Sequence, residues 1–279
     1  MVRDPYEAVW LSNTSISLFL KCPRAYYLGS VYKRPETGRR MGFIKPALAL
    51  GQAVHETLEV LSDLPVEQRF DKPLNKRFEE SWSKVSGKKG GFKSKEDEDE
   101  HKERGVEMIK RVSEKPGILL NKAVKIKMPD SSFPLPHFLF SEKENLILCG
   151  KIDWLEYLPE TDSIHIVDFK TGKNDEKEES LQLPIYLLLA NKLQPRKVQK
   201  GSFWYLDRND EPVEVSMPSI EEAEEKILQV GKRVKLARQL RTFKCENGGC
   251  FVCRPYEIVF NGGGEFVGVS DSNQDMFVV

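Results

Sequence analysis

Gly150-Lys151-Ile152-Asp153 and, one short turn later, Ile166-Val167-Asp168-Phe169-Lys170-Thr171-Gly172 are the stretches that decide how this chain is read. Between them lies Pro159-Glu160-Thr161-Asp162, a run of turn-forming residues. Ile152–Tyr157 and Ile164–Lys170 are therefore expected to pair as a hairpin. Side chains two apart on a strand share a face, so Asp168 and Lys170 point the same way, and the pairing brings Asp153 alongside Asp168. Two neighbouring carboxylates repel unless a proton or a cation sits between them. Oxygen ligands of this kind suit Mg²⁺ or Mn²⁺. Such an ion makes its bound water more acidic and polarises a phosphoryl oxygen. A lysine held beside it can orient the attacking water and offset charge developing on the phosphate. These are the parts needed for phosphodiester hydrolysis. The plain alternative is two aspartates at strand ends with Lys170 in an ordinary ion pair, and Asp-x-Lys alone does not decide between them.

The bulk of the sequence sets the frame. Its 279 residues are enough for one large domain or two small ones. Hydrophobic residues at 39% and charged ones at 31% describe a globular protein with a strongly charged surface. Lys plus Arg total 43 and so do Asp plus Glu, and this balance neither supports nor excludes a nucleic-acid partner. No apolar run is long enough for a membrane span, and Met1 to Trp10 has no basic segment leading into an apolar one. An intracellular protein with no membrane association is expected. Five cysteines, three of them crowded near the C-terminus, point to metal more than to disulfides in such a compartment.

Periodicity predicts helices over residues 12–30 and from Pro46 to Leu61. Residues 60–118 read as a helical, charged insertion, with Lys93–Arg104 a solvated helix or a mobile loop. Strands are expected at Lys122–Lys127, Phe138–Phe140, Leu146–Leu155 and Ile164–Lys170. A helix over Ser180–Leu193 follows, with Pro184 in its first turn. Strands at Lys200–Leu206 and Val213–Ser216 and a long helix from Ser219 to Leu240 complete an α/β core with helical elaborations. One domain is expected over 1–260. The stretch 261–279, with Gly262-Gly263-Gly264 and no lysine or arginine, reads as disordered.

More residues join the two stretches. Gln182-Leu183-Pro184-Ile185-Tyr186 follows them, and Gly51-Gln52-Ala53-Val54-His55 precedes them. Taken in order, these segments resemble the PD-(D/E)XK nucleases, and within them the RecB-like exonucleases, over roughly residues 14 to 256. In that group Gly-x-x-Asp precedes a strand ending in (Asp/Glu)-x-Lys, a helix bearing Gln-x-x-x-Tyr follows, and a Gly-x-x-x-His helix lies upstream. The resemblance implies a restriction-endonuclease-like α/β core, a mixed central sheet flanked by helices, with an N-terminal helical elaboration. It implies that His55, Asp153, Asp168 and the backbone carbonyl of Phe169 hold a Mg²⁺ or Mn²⁺ ion. Lys170 would be the catalytic lysine, acting with Asp168 and Asp153, and Gln182 and Tyr186 would line the DNA side of the site. Without that resemblance, His55 reads as a core histidine and Tyr186 as packing.

Cys245, Cys250 and Cys253 lie in a glycine-containing loop, spaced so that three thiolates can face one point. A fourth ligand is needed, and Cys22 is the candidate. Ser15 to Tyr27, the segment around it, looks like the N-terminal segment of iron–sulfur RecB-like nucleases, including CRISPR-associated exonucleases. There, one upstream cysteine joins three near the C-terminus around a 4Fe-4S cluster, with four-cysteine zinc as the alternative. This chain departs from the pattern, because the third distal cysteine lies upstream of Cys250-x-x-Cys253 rather than after it. Cys149 reads as a buried small hydrophobe.

Phosphate-tracking cations could come from residues 33–45, from residues 196–200, or from Lys232, Arg233, Lys235, Arg238 and Arg241. No phosphate-binding loop of the Gly-x-x-x-x-Gly-Lys-(Ser/Thr) type is present, so helicase activity would need a partner. The expected activity is a Mg²⁺/Mn²⁺-dependent DNA exonuclease acting on single strands or duplex ends in recombination, repair or DNA processing. A helicase or recombination protein is the expected partner, and the oligomeric state is open. The alternative is a non-catalytic DNA-end-binding or scaffold subunit on the same fold.

Overall fold

A computed structural model describes residues 8–126, 133, 135–270 and 272–279. From the N-terminal side, the elements are β1 (Val9–Leu11), α1 (Asn13–Lys21), α2 (Pro23–Tyr26) running into a π-helical turn (Tyr27–Val31), β2 (Arg40–Phe43), α3 (Pro46–Glu59), α4 (Leu74–Val85) and α5 (Lys95–Glu114). Then come β3 (His137–Ser141), β4 (Leu146–Cys149), β5 (Trp154–Leu158), β6 (Ser163–Lys170), α6 (Gln182–Leu193), β7 (Val198–Tyr205), β8 (Val213–Val215), α7 (Ile220–Gln239), α8 (Arg254–Phe260), β9 (Glu265–Val269) and β10 (Gln274–Val278). The chain divides into two compact units. Unit 1 comprises Met1–Ile44, His137–Gly150 and Glu221–Val279, and unit 2 comprises Lys45–Pro136 and Lys151–Ile220. Both units draw on separated segments, so no single linker marks the division in the sequence.

Unit 2 carries a four-stranded sheet ordered β5-β6-β7-β8. β5 and β6 form the expected antiparallel hairpin, with Trp154 opposite Val167 and Leu158 opposite Ser163. β6 and β7 are parallel, and α6 is the crossover between them. Pro184 sits in the first turn of α6, where its missing N–H costs little, and Leu183 to Ala190 are buried without a break. The remaining helices of unit 2 follow from spacing. α3 starts with Pro46 and buries Ala49, Leu50, Ala53, Val54, Thr57 and Leu58 on one side. The charged run Lys93–Arg104 is helical from Lys95: the Ser94 side chain caps the end by accepting from the Asp97 N–H, and Glu96, Asp97 and Glu98 complement the helix dipole. Gly105 lets α5 approach its neighbours, since a Cβ there would lie 2.4 Å from the Phe78 ring and 2.9 Å from Leu50. Thus the 60–118 stretch is helical but has a buried side as well as a charged one. The strand expected over Lys122–Lys127 is reduced to one bridge, Ala123 with Glu156, and Lys127 lies outside the described residues.

Unit 1 holds two three-stranded sheets, β1-β4-β3 and β2-β10-β9. The strand expected over Leu146–Leu155 is interrupted at Gly150–Asp153, so β4 belongs to a sheet of unit 1 and β5 to that of unit 2. The stretch 261–279 is also corrected. It forms β9 and β10, with β10 parallel to β2 and antiparallel to β9. Gly262 takes a backbone φ of 87°, which favours glycine, at the turn out of α8. Phe277 is buried with Leu28, Met41 and Val259. Asp275, fully buried, accepts from Arg34 Nη1 at 2.8 Å and Thr37 Oγ1 at 2.6 Å. The cations missing from this stretch are supplied by a loop more than two hundred residues upstream. Among the described residues, no helix is long and apolar enough to cross a membrane. Residues 1–7, read above as lacking a targeting signal, lie outside the described residues.

Candidate active site

The interruption before β5 leaves Asp153 at the mouth of the hairpin, in register to reach β6. Its Oδ2 accepts the Phe169 N–H at 2.8 Å, closing the hairpin where the strand ladder ends. The Lys170 carbonyl accepts from Leu206 N–H towards β7. Neighbouring residues of a strand turn their peptide groups to opposite edges, so the Phe169 carbonyl lies on the same edge as Asp153. The Phe169 ring points into the core and meets His55 edge-on at 6.0 Å between centroids.

Asp168 and Lys170 share a face as the strand period requires. Lys170 Nζ lies 2.9 Å from Asp168 Oδ2 and 3.0 Å from Glu176 Oε2. Gln182, at the start of α6, ties these groups together: its Oε1 accepts from Lys170 Nζ at 2.6 Å, and its Nε2 donates to Asp168 Oδ1 at 2.5 Å and to Tyr186 Oη at 3.2 Å. Gln182 and Tyr186 are one helical turn apart, which is what lets both face the strand end. On α3, His55 Nδ1 lies 3.4 Å from Asp153 Oδ1 and 3.3 Å from Glu59 Oε1, and Glu59 also pairs with Lys151. Gly51, four residues before His55, has the Thr171 hydroxyl 3.2 Å from where a Cβ would be.

Burial and like charge set the proton affinities. Burial, then the Asp153 carboxylate, push the Asp168 carboxyl up to about 7. Burial alone would raise Asp153 and lower His55, but their mutual attraction wins: Asp153 is held below the usual carboxylate range and His55 is raised to about 10. Burial would lower Lys170 as well, yet Asp168 and Glu176 hold its ammonium above the ordinary lysine range. Burial, followed by the charges of Asp168 and Asp153, carries Tyr186 well above the ordinary phenol.

The donor set fits a divalent cation. His55, Glu59 and Asp153 each offer a ligand atom, all within 4.8 Å of one another. Asp168 Oδ2 is buried and, apart from the Lys170 ammonium 2.9 Å away, faces no hydrogen-bond donor among the described residues. A buried carboxyl oxygen with no donor beyond that one ammonium is open to a cation once its proton is displaced. One imidazole with carboxylates matches Mg²⁺ or Mn²⁺ chemistry. Sequence reasoning missed two residues here. Glu59 stands where Asp168 was expected among the mutually close ligand atoms, and its signal was its place four residues after His55 on one helix face. Glu176 had no signal, being one acid among several in the loop after Gly172.

Unit 1 brings the four cysteines together. Their sulfurs all lie within 4.8 Å of one another, and the Cys250 and Cys253 sulfurs are 3.7 Å apart. Cys22 and Cys253 are buried, packed with Ala25 and bordered by Leu18, Val252 and Tyr256. Backbone N–H groups, that of Cys253 foremost, lower the Cys250 thiol to about 7, whereas burial pushes Cys22 up to about 12. Four soft donors facing one point fit a zinc ion or an iron–sulfur centre. Cys149 is buried at the end of β4 and outside this group.

No curated protein matches the chain significantly. The model of the PD-(D/E)XK nuclease superfamily, however, matches residues 10–256, from β1 through the hairpin and α6 to the start of α8. With that match covering most of its length, the chain belongs to the PD-(D/E)XK nuclease superfamily.

Proposed function

We propose that the protein is a divalent-metal-dependent deoxyribonuclease that removes nucleotides from single-stranded DNA or duplex ends in recombination, repair or DNA processing. The observation that carries this reading is the Gln182 bridge, which aligns Lys170 with Asp168 at the strand end while Asp168 Oδ2 keeps a lone pair free of hydrogen bonds. His55, Asp153 and the Phe169 carbonyl, with Asp168 and Glu59, would hold the cation. When bound, that ion supplies Lewis acidity towards the phosphate and a more acidic water. The residues do the rest. Lys170, kept protonated by Asp168 and Glu176, places a positive charge where phosphate charge develops. Gln182 fixes the ammonium's position by accepting from it, and the Tyr186 hydroxyl in turn accepts from Gln182. The buried walls around β6 thin the water near these groups, which strengthens each electrostatic contact.

The cysteine site is proposed to be structural. A tetrahedral zinc with bonds of about 2.3 Å spaces its sulfurs about 3.8 Å apart, which agrees with the 3.7 Å between Cys250 and Cys253. Resemblance to iron–sulfur nucleases supports a 4Fe-4S cluster instead. Iron, sulfide and zinc analysis after anaerobic purification discriminates the two, and background levels of all three would remove the site.

The catalytic reading is tested by cleavage of 5′- and 3′-labelled single-stranded DNA with Mg²⁺ or Mn²⁺. Loss of label by the wild type and not by Asp168→Ala supports it, and the released products give the polarity. DNA bound but never cut, under either ion, would favour a non-catalytic DNA-end-binding subunit.

A further inference from the structure

Unit 1 contains a cavity of about 550 Å³ lined by Arg24, Tyr27, Val31, Arg238, Arg241 and Phe243. Three guanidiniums around one cavity repel each other, and among the described residues only Arg24 has an acidic partner, Glu257 at 3.3 Å. Among the described residues, neither Arg238 nor Arg241 makes an ion pair; Arg238 instead lies against the Tyr26 phenol, whose proton affinity it lowers against the larger effect of burial. Tyr27 and Phe243 stack at 5.0 Å between centroids and 27° between planes, making an aromatic surface beside the arginines. The volume is within the range of ligand pockets, roughly 300–1,000 Å³. Guanidinium forks match phosphate oxygens, and an aromatic surface matches an unpaired base.

We infer that this cavity binds one nucleotide of a single-stranded DNA, with its phosphates on Arg238 and Arg241 and its base against Phe243. The inference rests on the nuclease reading for the identity of the strand. A duplex does not meet the site, because its bases are already stacked on each other. The sequence adds a reason for the location. Arg24 follows Cys22 by two residues and Phe243 precedes Cys245 by two, so the cysteine cluster fixes both walls of the cavity. A different role for the arginines is to offset the negative end of α7, which closes at Gln239.

The experiment is fluorescence anisotropy of a labelled oligothymidylate, without added divalent cation, over a range of salt. Wild type is compared with Arg238→Ala/Arg241→Ala, with Phe243→Leu, which keeps apolar volume, and with Lys226→Ala on the exposed side of α7. The double arginine variant is expected to bind at least about tenfold more weakly, with its log–log salt slope flatter by about 0.7 for each phosphate it no longer neutralises. Phe243→Leu should bind about tenfold more weakly with an unchanged salt slope, and Lys226→Ala should match wild type. Binding that is the same in all four proteins would overturn the inference, and lowered melting of the arginine variants alongside it would assign them to the helix end. Equal competition by an unlabelled duplex would overturn the single-strand assignment. Cleavage by the wild type is measured in parallel: cutting with cavity-independent binding leaves the nuclease reading standing and this inference lost, whereas cavity-dependent binding without cutting does the reverse.

Discussion

The carboxylate site of unit 2 and the cysteine cluster of unit 1 both gather ligand-type atoms to within 4.8 Å, yet they are assembled in opposite ways. The first is mostly local. Asp153, Asp168 and Lys170 come from one hairpin, and Gln182 and Tyr186 from the helix that follows it. Two of its three mutually close ligand atoms, those of His55 and Glu59, arrive from a distance, and they arrive together on one helix turn. Its polar atoms are already cross-linked by hydrogen bonds, so the arrangement stands without an ion. The cysteine cluster joins Cys22 to residues more than two hundred positions later, and its sulfurs have only weak contacts with each other. What differs is where the organising energy comes from. One site is built by its fold and is then open to a cation; the other, on the proposal of a structural metal, would depend on that metal to hold the pieces.

The largest expected effect follows from that contrast. Cys253→Ser, or stripping the metal with a chelator, should markedly lower the unfolding midpoint, since structural zinc contributes on the order of 10 kcal/mol in small modules. Calorimetry of metal-loaded and stripped protein measures it, and identical midpoints would erase the distinction between the sites. Next comes Lys170→Met. DNA cleavage should fall about 10²- to 10⁴-fold, as for loss of a positioned acid–base or electrostatic group, while the midpoint moves little. A collapse of the midpoint instead would make the lysine part of the fold's support.

A smaller effect concerns protons. With His55 raised to about 10 and Asp168 to about 7, a cation must displace protons from both at neutral pH. The apparent affinity for Mn²⁺ should rise about tenfold per pH unit for each proton released. Titration calorimetry in buffers of differing ionisation enthalpy counts those protons, and a pH-independent affinity would contradict the charge state assigned to the pair. The metal-free stability should move oppositely. Asp168 is raised in the fold, so its contribution is complete below its ordinary 3.8 and is lost as pH rises through about 7. His55 likewise contributes below 6.5 and loses that contribution as pH rises through about 10. The smallest effect is that of Tyr186→Phe, which removes the acceptor of one 3.2 Å hydrogen bond from Gln182 and should cost about 1 kcal/mol. Urea unfolding resolves that difference, and a loss as large as that of Lys170→Met in activity would promote the tyrosine to a direct role.

The hairpin site was legible because period two and a turn signal fix which side chains meet: Asp153 opposite β6, Asp168 and Lys170 on one face. α6 and α7 were legible from apolar spacing to within one or two residues of their ends. The change of sheet at Gly150–Asp153 was concealed, because two apolar runs, Leu146–Cys149 and Trp154–Leu155, separated by only four residues do not show that they pair with different partners. Glu59 was hidden in a different way. A glutamate after a helical histidine reads as surface until the hairpin is folded against it. The stretch 261–279 was misread because its stabilising partners are remote: Asp275 finds Arg34 and Thr37, and Phe277 finds Leu28 and Met41, none of which local composition reveals.

Strand β10 fills the centre of its sheet, and that has a consequence for how the protein is made. Every segment of unit 2 has been synthesised once Ile220 is added, so the half bearing the carboxylates can close while translation continues. Unit 1 cannot, because Cys253 and then Phe277 must first leave the ribosome. At about 5–20 residues per second, the Cys22 thiol waits on the order of tens of seconds for its partners. During that interval the nascent chain is an oxidation target, and any metal proposed for the cysteine cluster could be delivered only late in its biogenesis.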